Sequence, residues 1–187
     1  MKIADRGASS VIGVILMVAV VVILAAIVSV AAFGFVNDIS EPAPNVADTT
    51  GEFEAGGNLG EQVVRITHIA GEDVALNELE IVVRASGKSM SDTEVRLVNL
   101  PPSLSTFDTN SYEGNDGLAS GFGVSDGVLF DGSSSWGAGQ TIKFRIPVGA
   151  ADFRDPPVGS NPDADELEVT IVHTPSGTVI SQNTFTP

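Results

Sequence analysis

Hydrophobic positions along this chain follow two different patterns. From Ala8 to Val36 no residue is charged and most are apolar. Beyond Gly51, short runs alternate apolar and polar residues between turn-forming stretches. The first pattern predicts one long helix. An α-helix rises about 1.5 Å per residue and a hydrocarbon core is about 30 Å thick, so roughly 20 apolar residues span it. The Ala8–Val36 block exceeds that. Its β-branched run Val20-Val21-Val22-Ile23 would weaken a helix in water. In lipid, or in a packed helical core, every backbone N–H and C=O must be satisfied within the segment, and that enforces the helix. Ala25 and Ser29 stand four residues apart, as do Val30 and Gly34. Small residues at that spacing let neighbouring helices approach closely.

The block should end by Pro42. Glu41-Pro42-Ala43-Pro44 cannot continue a helix, and residues before proline favour an extended backbone. Residues 37–50 are therefore expected to be a linker, and residues 51–187 a globular domain. Period-two alternation then predicts strands at Gln62–Ile69, Leu79–Ala85, Glu94–Leu100, Thr141–Val148, Glu166–His173 and Gly177–Ile180. The last two are joined by Thr174-Pro175-Ser176-Gly177, with Pro early and Gly late as turns require. No segment after Val36 has helical periodicity. The chain therefore reads as α+β: a long N-terminal hydrophobic helix followed by an all-β, immunoglobulin-like sandwich. Residues 101–139 break the strand spacing. They are rich in Ser, Gly, Asn and Asp and carry the only Tyr (Tyr112) and the only Trp (Trp136). The expectation there is an exposed long loop, with a short strand near Gly127-Val128-Leu129-Phe130 and with Trp136 plugging one end of the sandwich.

Charge narrows the partners. The chain has nine Lys and Arg against 24 Asp and Glu, a net charge of −15. Lys2, Asp5 and Arg6 precede Ala8, which leaves seven bases and 23 acids from Ala8 onward. Such a surface argues against nucleic acid, which is held by phosphate-contacting cations, and against a peripheral grip on anionic lipid. The acids are scattered, as on a protein bathed in concentrated salt, where repulsion is screened within a few ångströms. There is no cysteine, so the domain holds together without disulfides, and thiol catalysis and cysteine–zinc sites are excluded. None of the nine Asn residues begins an N-glycosylation sequon.

The leader decides what the helix is for. Lys2 and Arg6 precede the block and Asp38 and Glu41 follow it, which orients the N-terminus inside and the domain outside. A secretory signal places its small-residue cleavage site after the apolar region and is lost with it. Here the small-residue junction, Arg6-Gly7-Ala8-Ser9-Ser10, comes first. Cleavage after Gly7 would remove residues 1–7 and keep the helix of residues 8–36. This arrangement resembles the class III signal peptide of type IV pilins and archaellins. The run Arg6-Gly7-Ala8-Ser9-Ser10-Val11-Ile12-Gly13-Val14-Ile15-Leu16-Met17-Val18-Ala19 resembles the start of haloarchaeal type IV pilins. The resemblance implies processing by a prepilin peptidase at Arg6, Gly7 and Ala8. It also implies helix-on-helix assembly with other copies of the chain, through Val11, Ile12, Gly13, Ile15 and Leu16 and the small residues Ala25, Ser29 and Gly34. Bacterial relatives carry Glu at the fifth mature position, where this chain has Ile12; archaeal pilins commonly lack it. Looser similarity to that group extends over Ile66–Asp73 with Leu76–Ile81, over Trp136–Gln140 and over Val172–Gly177.

Candidates for chemistry are few. His68 and His173 each lie in an expected strand, with no third ligand spaced for a metal. Asp163-Ala164-Asp165-Glu166-Leu167-Glu168 gathers oxygens but lacks the Gly and distal Glu of an EF-hand loop. No nucleophile elbow, P-loop or dinucleotide fingerprint occurs. The sequence thus indicates no enzyme and no cofactor. The resemblance implies a pilin subunit of a surface filament, a membrane precursor before assembly, with adhesion as its expected use. The alternative is a single-pass surface protein, minor pilin or archaellum accessory that binds a partner through its β-domain.

Overall fold

A computed structural model describes residues 4–37, 42–56, 62–88, 90–103, 106–115, 117–124 and 126–187. The chain divides into two compact units, residues 1–41 and 42–187. The described residues of the first form one uninterrupted helix, α1, Ala4–Asn37. It covers the whole apolar block and extends back through the Gly7–Ala8 junction. The β-branched run at 20–23 is helical, as backbone satisfaction in an apolar medium demands.

The second unit is built from antiparallel strands. In chain order they are β1 Val46–Glu54, β2 Gln62–Gly71, β3 Val74–Ala75, β4 Leu79–Gly87, β5 Met90–Leu97, β6 Tyr112–Gly114, β7 Ser135–Trp136, β8 Thr141–Ile146, β9 Glu166–His173 and β10 Thr178–Phe185. One sheet has the order β1-β2-β8, the other β10-β9-β4-β5-β6, and β3 pairs with β7 as a small third sheet. The inward faces of both large sheets share a single core. Val64, Ile66, Ile142, Phe144 and Ile146 come from one; Ile81, Val83, Val95, Leu97, Leu167, Val169 and Ile171 come from the other. All of these side chains are essentially inaccessible. This is period-two patterning at work, with alternate residues facing inward along each strand. The α+β class and the sandwich read from the sequence are both present.

The expected linker differs. Residues 46–50 open β1, which pairs with β2 from Val46↔Gly71 to Glu54↔Val63. β1 is an edge strand with Asp48, Glu52 and Glu54 along it, so its polar sequence masks its pairing. It also closes one side of the sandwich. Thr49 shares a hydroxyl hydrogen bond of 2.8 Å with Ser181 of β10, and any side chain at Gly51 would strike Asn183 and Phe185.

Residues 101–139 differ more. Their described residues do not form an exposed loop: Phe107, Leu118, Ala119, Val124, Val128, Leu129 and Trp136 are all buried. Phe107 packs edge-on against Tyr112 at 5.7 Å and Phe130 at 5.2 Å, and the Tyr112 hydroxyl donates to the Ala119 carbonyl at 2.9 Å. Residues 127–130 form a turn, not a strand, with Phe130 N donating to Gly127 O at 2.9 Å. The hydrophobics here come singly or in runs of two or three, set among Ser, Gly and Asp. They reach the core from turns, where no period of two or 3.6 applies.

Two buried polar side chains fasten residues 147–164. Gln62 donates to the carbonyls of Ile146 (3.1 Å) and Ala151 (2.6 Å) and accepts from Phe153 N (2.7 Å). Asp152, fully buried, accepts from Arg154 through Nε (2.7 Å) and Nη2 (2.6 Å), from Asn161 Nδ2 (3.0 Å) and from Val158 N (3.1 Å). The Arg154 hydrogen bond, with the others behind it, holds the Asp152 carboxyl far below the usual carboxylate range against the opposing effect of burial.

Candidate processing and assembly segment

Within α1, the 21-residue span Val11–Ala31 contains an 18-residue window of mean hydropathy 3.4, and α1 is the one helix among the described residues long and apolar enough to cross a bilayer. Every residue from Val11 to Ala31 is exposed. Val11, Ile12, Ile15 and Leu16 are 57–62% exposed, and Val22 is 61% exposed. A soluble amphipathic helix hides one stripe and shows a polar face to water. This segment has no polar face to show, so its surroundings must be apolar on all sides.

The small residues fit that demand. A Cβ at Gly13 would meet nothing within 4 Å, so nothing inside the chain requires a glycine there. Ala25 and Ser29 lie one turn apart on the same face, and Gly34 lies one turn beyond Val30. Arg6, Gly7 and Ala8 are consecutive residues of the same helix, at its N-terminal end.

The histidines have structural partners. His68 is buried, its ring 4.9 Å from that of Trp136, with Nδ1 3.2 Å from the Trp136 carbonyl and Nε2 3.1 Å from the Ala70 carbonyl. Trp136 is itself fully buried and its Nε1 donates to Gln140 O at 3.1 Å. The indole thus closes the sandwich beside the β3–β7 pair, the role its Gly-rich surroundings suggested. His173 Nδ1 lies 2.8 Å from Ser176 Oγ and its Nε2 3.6 Å from Glu78 Oε2. The Ser176 hydroxyl is already engaged in the turn, where it accepts from Thr178 N at 3.3 Å. Thr174 N and Oγ both donate to Glu78 O, at 2.8 and 3.0 Å. The group therefore fastens the β9–β10 turn to the 3-10 turn Leu76–Glu78.

The acidic run at 163–168 is dispersed among separate partners. Asp165 faces Lys88 (3.7 Å), and Glu168 meets Arg84 (3.2 Å) and Gln182 (2.5 Å). Arg84 also holds Glu94 at 2.6 Å, and that hydrogen bond lowers the Glu94 carboxyl and raises the guanidinium. Gln62 and Asp152 were not legible as structural centres, because a lone Gln or Asp in sequence looks like any surface residue.

No curated protein shows significant similarity to the chain. The family model described as archaeal type IV pilin, N-terminal, matches residues 6–47. That span begins at Arg6, takes in the junction and all the small residues named above, and ends two residues into β1. Over residues 6–47 the chain is therefore similar to the N-terminal segment of the archaeal type IV pilins.

Proposed function

We propose that this chain is the structural subunit of an archaeal type IV pilus-like filament. It is made as a membrane-anchored precursor, cut by a prepilin peptidase between Gly7 and Ala8, and assembled through the helix of residues 8–36. The filament stands on the cell surface and serves in attachment. One observation carries the reading: a helix that is apolar on every side follows directly on a small-residue junction, inside a match to the pilin N-terminal family. Such a helix is soluble in lipid before assembly and among sister helices afterwards. The small residues Gly13, Ala25, Ser29 and Gly34 then mark places of close helix approach.

A charge placed mid-helix tests this. Val22→Asp should cost about 3 kcal/mol on insertion and should abolish filaments, as seen by electron microscopy of the cell surface. Normal filaments from that variant would contradict a buried helical core. A protein that remains a simple membrane anchor would be retained uncut in the membrane fraction and would form no filaments in the first place.

A further inference from the structure

Acids outnumber bases more than three to one after the Gly7–Ala8 junction, so a base without a carboxylate beside it is unexpected. Six of the seven bases have one. Arg65 meets Glu54 (3.1 Å), Lys143 meets Asp126 (2.6 Å) and Arg154 meets Asp152 (2.6 Å). Arg84, Lys88 and Arg96 make ion pairs on the five-stranded sheet. Arg145 is the exception: among the described residues it has no ion-pair partner, and its Nε is buried with no hydrogen bond at all. A buried donor left unpaired costs about 1–3 kcal/mol.

Its placement is specific. Arg145 lies on β8 opposite Val63 of β2, between the inward-facing Phe144 and Ile146. Its backbone exchanges two hydrogen bonds of 2.8 Å with Ser120, which lays the following turn along the strand. That turn, Gly121–Val124, is closed by Val124 N donating to Gly121 O at 3.1 Å. Gly123 has φ +73°, and a Cβ there would come within 3.1 Å of Arg145 Nη1. The glycine therefore permits both the turn and the close seat of the guanidinium beneath it. The result is a cleft of about 180 Å³ with Arg145, Arg65 and Lys143 in its walls, Glu54 the one acid among its lining residues, and Val63 and Val124 as apolar lining. At the crest of the same turn Phe122 is 76% exposed.

We propose that this cleft receives an Asp or Glu carboxylate from a second copy of the chain, with Phe122 packed against the same neighbour. The inference rests on the filament-subunit reading. A guanidinium takes a carboxylate through two parallel hydrogen bonds, which suits an arginine whose donors are unspent. The neighbour that fits by charge is this chain itself, in which 23 acids stand against seven bases after the junction. Arginine and aromatic residues are also the side chains most enriched at protein interfaces.

The test uses the full-length chain in producing cells, with filaments sheared from the surface. Arg145→Glu should reduce filament yield at least tenfold while the N-terminus is still cut at Ala8 and Trp136 fluorescence still reports a folded domain. Arg145→Lys keeps the charge and supplies an amine. Treating its filaments with a carbodiimide, which takes up the water lost as an amide forms, should give covalent dimers whose joined peptides link position 145 to an Asp or Glu of another copy. Wild-type yield from Arg145→Glu would overturn the proposal and leave the subunit reading standing. Filaments of the Arg145→Lys variant that link position 145 only within one chain, or not at all, would also overturn it. Wild-type chain found only as uncut single copies would overturn the subunit reading and this proposal with it.

Discussion

At the residue scale, the side chains that matter most to the β-unit are polar ones with complete sets of partners. Asp152 is the clearest. Its folded carboxyl titrates below its ordinary value because Arg154 and three further donors bind the anion. A depressed folded value means that its contribution is fully present above the unfolded value of about 3.9 and is lost as pH falls below it. The melting temperature of the wild type should therefore drop on acidification below about pH 4. Asp152→Ala should cost about 3 kcal/mol at neutral pH, since it strands a largely buried guanidinium, and should show a shallower acid slope. Thermal melts of both across pH 2–7 read this directly; identical acid slopes would contradict it. None of this was visible in the sequence, where Asp152 is one acid among 24. Trp136 and the two histidines were more legible, because a single Trp before Gly-Ala-Gly and a His within a strand have few other uses.

At the element scale, alternation located the strands it should. β2, β4, β5, β8 and β9 each have one face in the core, and burial writes that face into the sequence as period two. β1 escaped because it is an acidic edge strand following two prolines. β3, β6 and β7 are two or three residues long, too short to show any period. Residues 101–139 escaped for a different reason: their composition is that of a loop, yet they contribute Phe107, Leu118, Val128 and Leu129 to the core. Composition reports the average residue, while burial depends on a few. Deleting residues 105–125 should therefore unfold the β-unit. Losing Phe107 and Leu118 alone removes two buried side chains, each worth about 2–5 kcal/mol. Limited proteolysis should show rapid cleavage throughout residues 42–187; a protease-resistant β-unit after the deletion would contradict this packing.

At the scale of the whole molecule, two physical regimes share one chain: a helix that belongs in an apolar medium and a strongly acidic β-domain. With 23 acids against seven bases after the junction, self-repulsion in the β-unit depends on screening, which acts within about 3 Å at 1 M salt. Most of the domain's ion pairs are exposed, and each contributes at most about 1 kcal/mol. The fluorescence of Trp136, the single and fully buried Trp, should report a melting temperature that falls as salt is lowered from molar to millimolar. An unchanged midpoint would mean that the acidity is incidental. The helix was legible in the sequence, because an apolar medium imposes one uniform rule over a long stretch, and the match to the archaeal type IV pilin N-terminal family falls on the same residues. The central claim is that Gly7–Ala8 is cut and the helix retained. Mass spectrometry of the N-terminal peptide, on protein taken from sheared surface filaments, measures this directly. The account predicts a chain beginning at Ala8 with residues 8–36 intact; a chain still beginning at Met1, or one beginning after the helix, would contradict it.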